Sequence, residues 1–235
     1  MSRLALVPRA STRSYHHGRL REAVVEAAVK EVELVGPAGL SMREVARRAG
    51  VSHAAPAHHF GDKAGLFTAI ATEGYQLLEQ ATRDATAGDN ALLQGGLAYI
   101  RFALTHRPYF EVMFRPDLYR SDDAELLAAR DAAFNVLFEA VAHALPYGDP
   151  NEVLATAIAA WSQAHGLAVL WTNRNFPQAL TDDAHDLAAL AASGLARLGD
   201  ITRRQMTAVL ATLPTAPSSP RVRPKQRGRA PKARR

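Results

Sequence analysis

Apolar residues recur at three- and four-residue steps along most of the chain to about residue 213. No stretch alternates apolar and polar residues as a half-buried strand would. From Leu20 onward, Val24, Ala28, Val32 and Val35 line one face of a predicted helix, which Gly36-Pro37 should stop. Ser41 is a good N-cap, and Glu44 three residues on should complete a capping box for a short helix over 42–48. Ala49-Gly50-Val51 reads as a tight turn whose glycine takes a positive φ. Ser52 is positioned to cap a second short helix over 52–59, and Gly61-Asp62 to open a longer one to about Arg83. Further helices are predicted over 91–106, 108–115, 122–144, 151–171, 182–198 and 200–213. The predicted fold class is all-α.

Composition agrees with that reading. Alanine is abundant, Val and Ile are sparse outside short pieces, and 48% of the 235 residues are hydrophobic. The absence of cysteine excludes disulfides, thiolate zinc sites and a thiol nucleophile. No run approaches about 18 apolar residues, so no membrane-spanning helix is expected. The run Leu4 to Val7, ended by Pro8, is too short for a secretory core, so a cytoplasmic location is expected.

The net charge of +5 is unevenly spread. Residues 1–70 carry ten Lys/Arg against six Asp/Glu, a net +4. Residues 71–213 carry ten against seventeen, a net −7, and residues 214–235 carry eight basic and no acidic residues, a net +8. Two basic ends around an acidic middle suit a polyanion met by the ends. The expected organisation is a flexible basic arm over 1–17, a helix-turn-helix domain over 18–64, a larger helical domain over 65–213 and a disordered basic tail over 214–235.

A helix, a three-residue turn and a second short helix form the plan by which a protein places one helix in the DNA major groove. Val45, Ala46 and Val51 are apolar where the two helices would pack, and Arg43, Arg47 and Arg48 are basic where phosphates would lie. Spacing alone equally allows a plain helical hairpin in a small bundle. The stretch "GPAGLSMREVARRAGVSHAAPAHHFGDKAGLF", from Gly36 to Phe67, resembles the N-terminal domain of TetR-family transcriptional regulators. "YHHGRLREAVVEAA", from Tyr15, resembles the first helix of one branch of that family. "WSQAHG", from Trp161 to Gly166, resembles the Trp-x-x-x-His-Gly element of the C-terminal domain found with that branch. The resemblance spans roughly residues 15 to 200.

That resemblance implies a three-helix DNA-binding domain and a larger helical domain that binds a small molecule and dimerises. The implied protein is a repressor released by its effector, bound to an inverted-repeat operator in double-stranded DNA. It needs no cofactor. Carried over by position, Ser41, Arg43 and Lys63 would touch phosphates. Ser52, His53, Ala54 and His58 would face the groove, Phe60 would anchor the core, and His59 would reach a phosphate. The chain departs from the family at Ala57, where a tyrosine usually contacts phosphate, and at His58, often Arg or Lys. Losing one neutral hydrogen bond costs about 0.5–1.5 kcal/mol, at most about tenfold in affinity. His53 and His58 can still donate to guanine or phosphate, and alanines suit thymine methyls.

In the second domain, Phe102, His106, Tyr109, Phe110, Met113 and Phe114 recur at helical spacing, as do Phe134 with Phe138 and Trp161 with His165. Such stripes serve either a core or a pocket. The candidate effector residues are Phe102, His106, Tyr109, Phe110, Phe114, Phe134, Phe138, Trp161 and His165, suited to a mainly apolar ligand with one or two polar groups. The acidic balance of this domain favours a neutral or cationic one. Ala155, Ala159 and Gly166, with Leu187, Leu190, Gly194, Leu195 and Leu198, would make either a homodimer seam or internal core. Against an enzyme, no Ser-His-Asp order, metal-ligand spacing or Gly-rich phosphate loop is visible. His16, His17, His53, His58 and His59 show no helical pair with a carboxylate partner, so no metal is expected. The remaining rival is a small-molecule-binding module of the same fold whose DNA binding is weak or non-specific.

Overall fold

The computed structural model describes residues 12–88 and 90–175, with side chains from Leu20 onward. The described residues form eight helices and no strand. All of them fall within one compact unit, Met1–Ala192. The helices expected over 182–198 and 200–213, the tail over 214–235 and the arm before residue 12 lie outside the described residues.

Helix α1 (Thr12–Gly39) starts inside the segment expected to be an unstructured arm over 1–17. Gly36, at φ 70° and ψ 167°, breaks its helical path, so the stop signal acts where expected and only a short turn follows to Gly39. Val24, Ala28 and Val32 are buried on its inner face. Helix α2 (Met42–Arg48) is capped by Ser41, whose Oγ accepts the Glu44 amide at 3.5 Å. The expected capping box is only half made there, because the Glu44 carboxylate turns to Arg47 instead. A complete box stands at Asp149 and Glu152, at the start of α8.

Helix α3 (Ala55–Phe60) begins three residues later than expected and has no side-chain cap. Ser52 supplies its carbonyl to the Ala55 amide, making residues 52–54 a turn before the helix. Pro56 sits in the first turn, where the missing N–H costs little, and its ring is buried. Gly50, at φ 67°, makes the preceding turn.

Helix α4 (Lys63–Ala85) is the spine of the described unit, packed against α1, α3, α5, α6 and α7. Every residue from Gly65 to Thr72 is buried, the pattern of a helix enclosed on all sides. The Thr68, Thr72 and Thr82 hydroxyls donate to the carbonyls of Ala64, Thr68 and Leu78, which satisfies them in the core. Helices α5 (Ala91–Thr105), α6 (Arg107–Met113) and α7 (Ala124–Ala144) surround α4.

Helix α8 (Pro150–Thr172) packs on α5 and α7. By length and composition alone α8 is apolar enough to cross a membrane, although it holds no run of about 18 consecutive apolar residues. It carries the exposed apolar residues Leu154, Ile158 and Leu170, and Trp161 is exposed in part.

Candidate nucleic-acid interface

Two short helices and their glycine turn stand against α1 and the start of α4. Val45 and Ala46 are fully buried, as the helix-turn-helix reading requires, and Val51 packs on the same core. Phe60 is buried at the end of α3, with the Arg21 guanidinium 5.6 Å from its ring centre. The opposite side is polar and open. Ser52, His53, Ala54, Ala57 and His58 are exposed, and His59 is half-buried between the His58 and Phe60 rings.

An open hollow of about 290 Å³ beside this face is lined by Ser41, Arg43, Glu44, Arg47 and His53. It brings together three of the residues expected at DNA, from the cap of α2, its first turn and the turn before α3. Beside the Glu44 carboxylate, which Arg47 pairs, the hollow offers donors that suit a phosphate group: a hydroxyl, guanidiniums and an imidazole. Lys63 is nearby in sequence but already engaged. Its ammonium donates to the Ala38 carbonyl at 3.2 Å and lies 5.5 Å from the Phe67 ring centre.

The other two arginines of α2 have structural partners. Arg47 Nε donates to both Glu44 carboxylate oxygens at 2.9 and 3.0 Å. That hydrogen bond holds the Glu44 carboxyl below its ordinary range. Arg48 Nη2 donates at 3.0 Å to Glu31, a buried carboxylate on α1. Of the three arginines that could meet phosphates, Arg43 is the one with no ion pair among the described residues. Arg48 instead fixes α2 to α1, because burying the Glu31 charge requires a cation beside it.

The aromatic residues expected at an effector divide into two groups. Phe138, Phe134, Trp161, His165 and Phe114 form a continuous chain, with ring centres 5.0, 5.8, 6.0 and 4.4 Å apart in that order, and Phe110 joins at 5.4 Å from His165. Phe102, His106 and Tyr109 make a second group. Phe102 stacks on His106 at 4.9 Å, and Tyr109 donates to Glu73 at 2.8 Å. Phe102 and Phe110 are buried, and the others keep partial exposure.

Tyr99, three residues before Phe102, belongs to the first group but was missed from sequence. Its hydroxyl lies 2.8 Å from His165 Nδ1 and accepts the Trp161 indole N–H at 3.4 Å. Indole can only donate, whereas the Tyr99 oxygen can both accept and donate: beside a neutral His165 protonated on Nε2, Tyr99 donates to Nδ1. Burial pushes the His165 pKa down, which favours that neutral ring. The stripe Tyr99, Phe102, His106 at helical spacing was the available signal. Among the described residues no group of His, Asp or Glu could hold a metal ion.

A helix-turn-helix with an exposed second helix, joined to a larger helical domain, defines a DNA-binding transcriptional regulator. Comparison with known proteins gives the same class. Residues 24–70 match bacterial regulatory proteins of the tetR family, and residues 92–198 match a tetracyclin repressor-like C-terminal domain. The HTH-type transcriptional regulator BetI of Stenotrophomonas maltophilia is 33% identical over 72 residues, 30% of this chain and 37% of that protein. The chain thus matches only about a third of that relative's length.

Three solved structures share the fold over most of the chain. A Rhodococcus sp. RHA1 protein of unknown function is 29% identical with a TM-score of 0.65, covering 78% of this chain and 96% of that one. NalD, the secondary repressor of the MexAB-OprM multidrug efflux pump in Pseudomonas aeruginosa, is 19% identical with a TM-score of 0.54, covering 78% and 96%. The TetR-family regulator PfmR of Thermus thermophilus is 22% identical with a TM-score of 0.53, covering 72% and 93%. The chain belongs to the TetR family of bacterial regulatory proteins.

Proposed function

We propose that the protein is a homodimeric, cytoplasmic repressor that binds an inverted-repeat operator and leaves it when a small molecule enters the helical domain. The observation that carries the reading is the hollow formed by Ser41, Arg43 and His53 beside the exposed turn and helix of residues 52–60. A phosphate held in that hollow would set the register, and His53, Ala54 and His58 would then meet base edges. Ser52 and His59 flank them, and Lys63 reaches the backbone only by leaving the Ala38 carbonyl.

The effector site proposed is the aromatic chain around His165, including Phe110, Phe114, Phe134, Phe138 and Trp161, with Phe102, His106 and Tyr109 as its second wall. A mainly apolar molecule carrying one or two polar groups suits these residues. Trp161, His165 and Gly166 support assignment to the branch marked by the Trp-x-x-x-His-Gly element, since the first two share one hydrogen-bond network through Tyr99. The exposed apolar face of α8 supports its use as part of the dimer seam, where burial removes Leu154 and Ile158 from water.

A second reading, a ligand-binding module with only non-specific DNA affinity, draws support from Ala57, which leaves α3 without the family's usual tyrosine. Selection of duplexes from a randomised pool by the full-length protein separates the two. Enrichment of an inverted repeat with half-sites about one helical turn apart supports the repressor. Recovery of duplexes with no common sequence supports the module.

A further inference from the structure

The loop between α6 and α7 leaves the effector domain and returns to the end of the recognition helix. Arg120, on that loop, makes two separate bonds to the start of α4. Its backbone N–H donates to Thr68 Oγ1 at 3.0 Å, and its Nη2 donates to Asp62 Oδ1 at 3.0 Å. The same Asp62 oxygen accepts the Gly65 amide at 2.8 Å and caps α4. The guanidinium therefore lies along a strip whose two glycines leave room for it. A Cβ on Gly61 would come within 3.4 Å of Nη2, and one on Gly65 within 3.1 Å of Nη1. Gly65 is also where the Phe60 carbonyl, the last of α3, presses on α4, because a Cβ there would stand 1.9 Å from that oxygen.

The other end of the loop is tied to the aromatic site. The Met113 carbonyl accepts the Tyr75 hydroxyl at 3.2 Å and the Tyr119 hydroxyl at 2.8 Å. Phe114, next along the chain, has its ring 4.4 Å from that of His165. Backbone hydrogen bonds from Arg115 to Val112 and Leu118 to Arg115 stiffen what lies between, and one from Asp123 to Arg120 follows it. Tyr119, the residue before Arg120, is thus bonded to Met113, the residue before Phe114.

We infer that Arg120 is a positioning residue for DNA reading: its clasp on Asp62 and the Gly61–Gly65 strip holds the α3–α4 junction in the reading pose, and Phe114 and Tyr119 couple that clasp to the aromatic site. The inference rests on α3 as the reading element. Both side chains of the pair are about half exposed, so the clasp is weak enough to be opened by a modest change in the loop. That suits a switch, since a strong lock would need a ligand of correspondingly large differential affinity to release it.

The test uses full-length wild type, Arg120→Gln and Arg120→Lys. Each is assayed on a duplex selected by the wild type and on its scramble, beside thermal midpoints and amide exchange of the DNA-free proteins. Arg120→Gln should bind the selected duplex about threefold more weakly per subunit, about tenfold for a pair, with the scramble and the midpoint unchanged. Exchange over residues 58–66 should quicken, and Arg120→Lys should recover most of both effects. Unchanged exchange over 58–66 overturns the clasp. Equal losses on both duplexes also overturn it, because Arg120 would then act as a charge near DNA. Absence of any preference by the wild type would sink the DNA-reading assignment of α3, while exchange still decides the clasp.

Discussion

At the level of single residues, the interface depends on which side chains remain free after the fold has used its own. Arg47 and Arg48 are spent on Glu44 and Glu31, which leaves Arg43 as the unpaired guanidinium of α2 among the described residues. No spacing rule separates these three arginines, because the partner of Arg48 lies seventeen residues away on α1. Ala57 is exposed on α3, so a larger side chain there meets open space. Ala57→Tyr should tighten binding to the selected duplex by up to about tenfold, the worth of one added phosphate hydrogen bond. Titration by fluorescence anisotropy at fixed salt checks this, and a tyrosine that leaves affinity unchanged would mean that position 57 faces away from the backbone.

Among the elements, much was legible because local signals coincide. Gly36, Gly50 and Asp62 each act where their chemistry suggested, and apolar spacing located the described helices to within a few residues except at the start of α1, which lies eight residues before Leu20. The start of α3 was misplaced because Ser52 and Pro56 offered competing start signals, and the proline within the first helical turn prevailed. The half-made box at Ser41 failed because Arg47, one turn on, competes for the Glu44 carboxylate. Long-range bonds such as Tyr99 to His165 and Arg120 to Asp62 join residues dozens of positions apart, and nothing in a local pattern marks them.

Two predictions belong to this scale. Gly65→Ala forces a Cβ against the Phe60 carbonyl and should cost about 3 kcal/mol, read as a lowered denaturation midpoint in urea. His165 is held neutral by burial, so the unfolded chain binds its proton more readily than the folded one. Stability from this group is complete above about pH 6.5, the ordinary imidazole value, and declines as pH falls below it. Thermal midpoints between pH 5 and 8 should show that decline, and His165→Gln should remove part of it.

At the scale of the whole molecule, a DNA-reading end, an aromatic site and exposed apolar residues on α8 belong to one described unit. The charge distribution adds a separate contribution. Residues 214–235 carry eight positive charges and should contribute salt-dependent, sequence-independent affinity. The α3 face should contribute the preference for one sequence. The measurement that separates them most directly is anisotropy on the selected duplex and its scramble across a salt series, with the full chain and with residues 214–235 removed. The account predicts that the truncated protein still prefers the selected duplex, with a shallower dependence on salt. Equal binding to both duplexes, lost when the tail is removed, would contradict it.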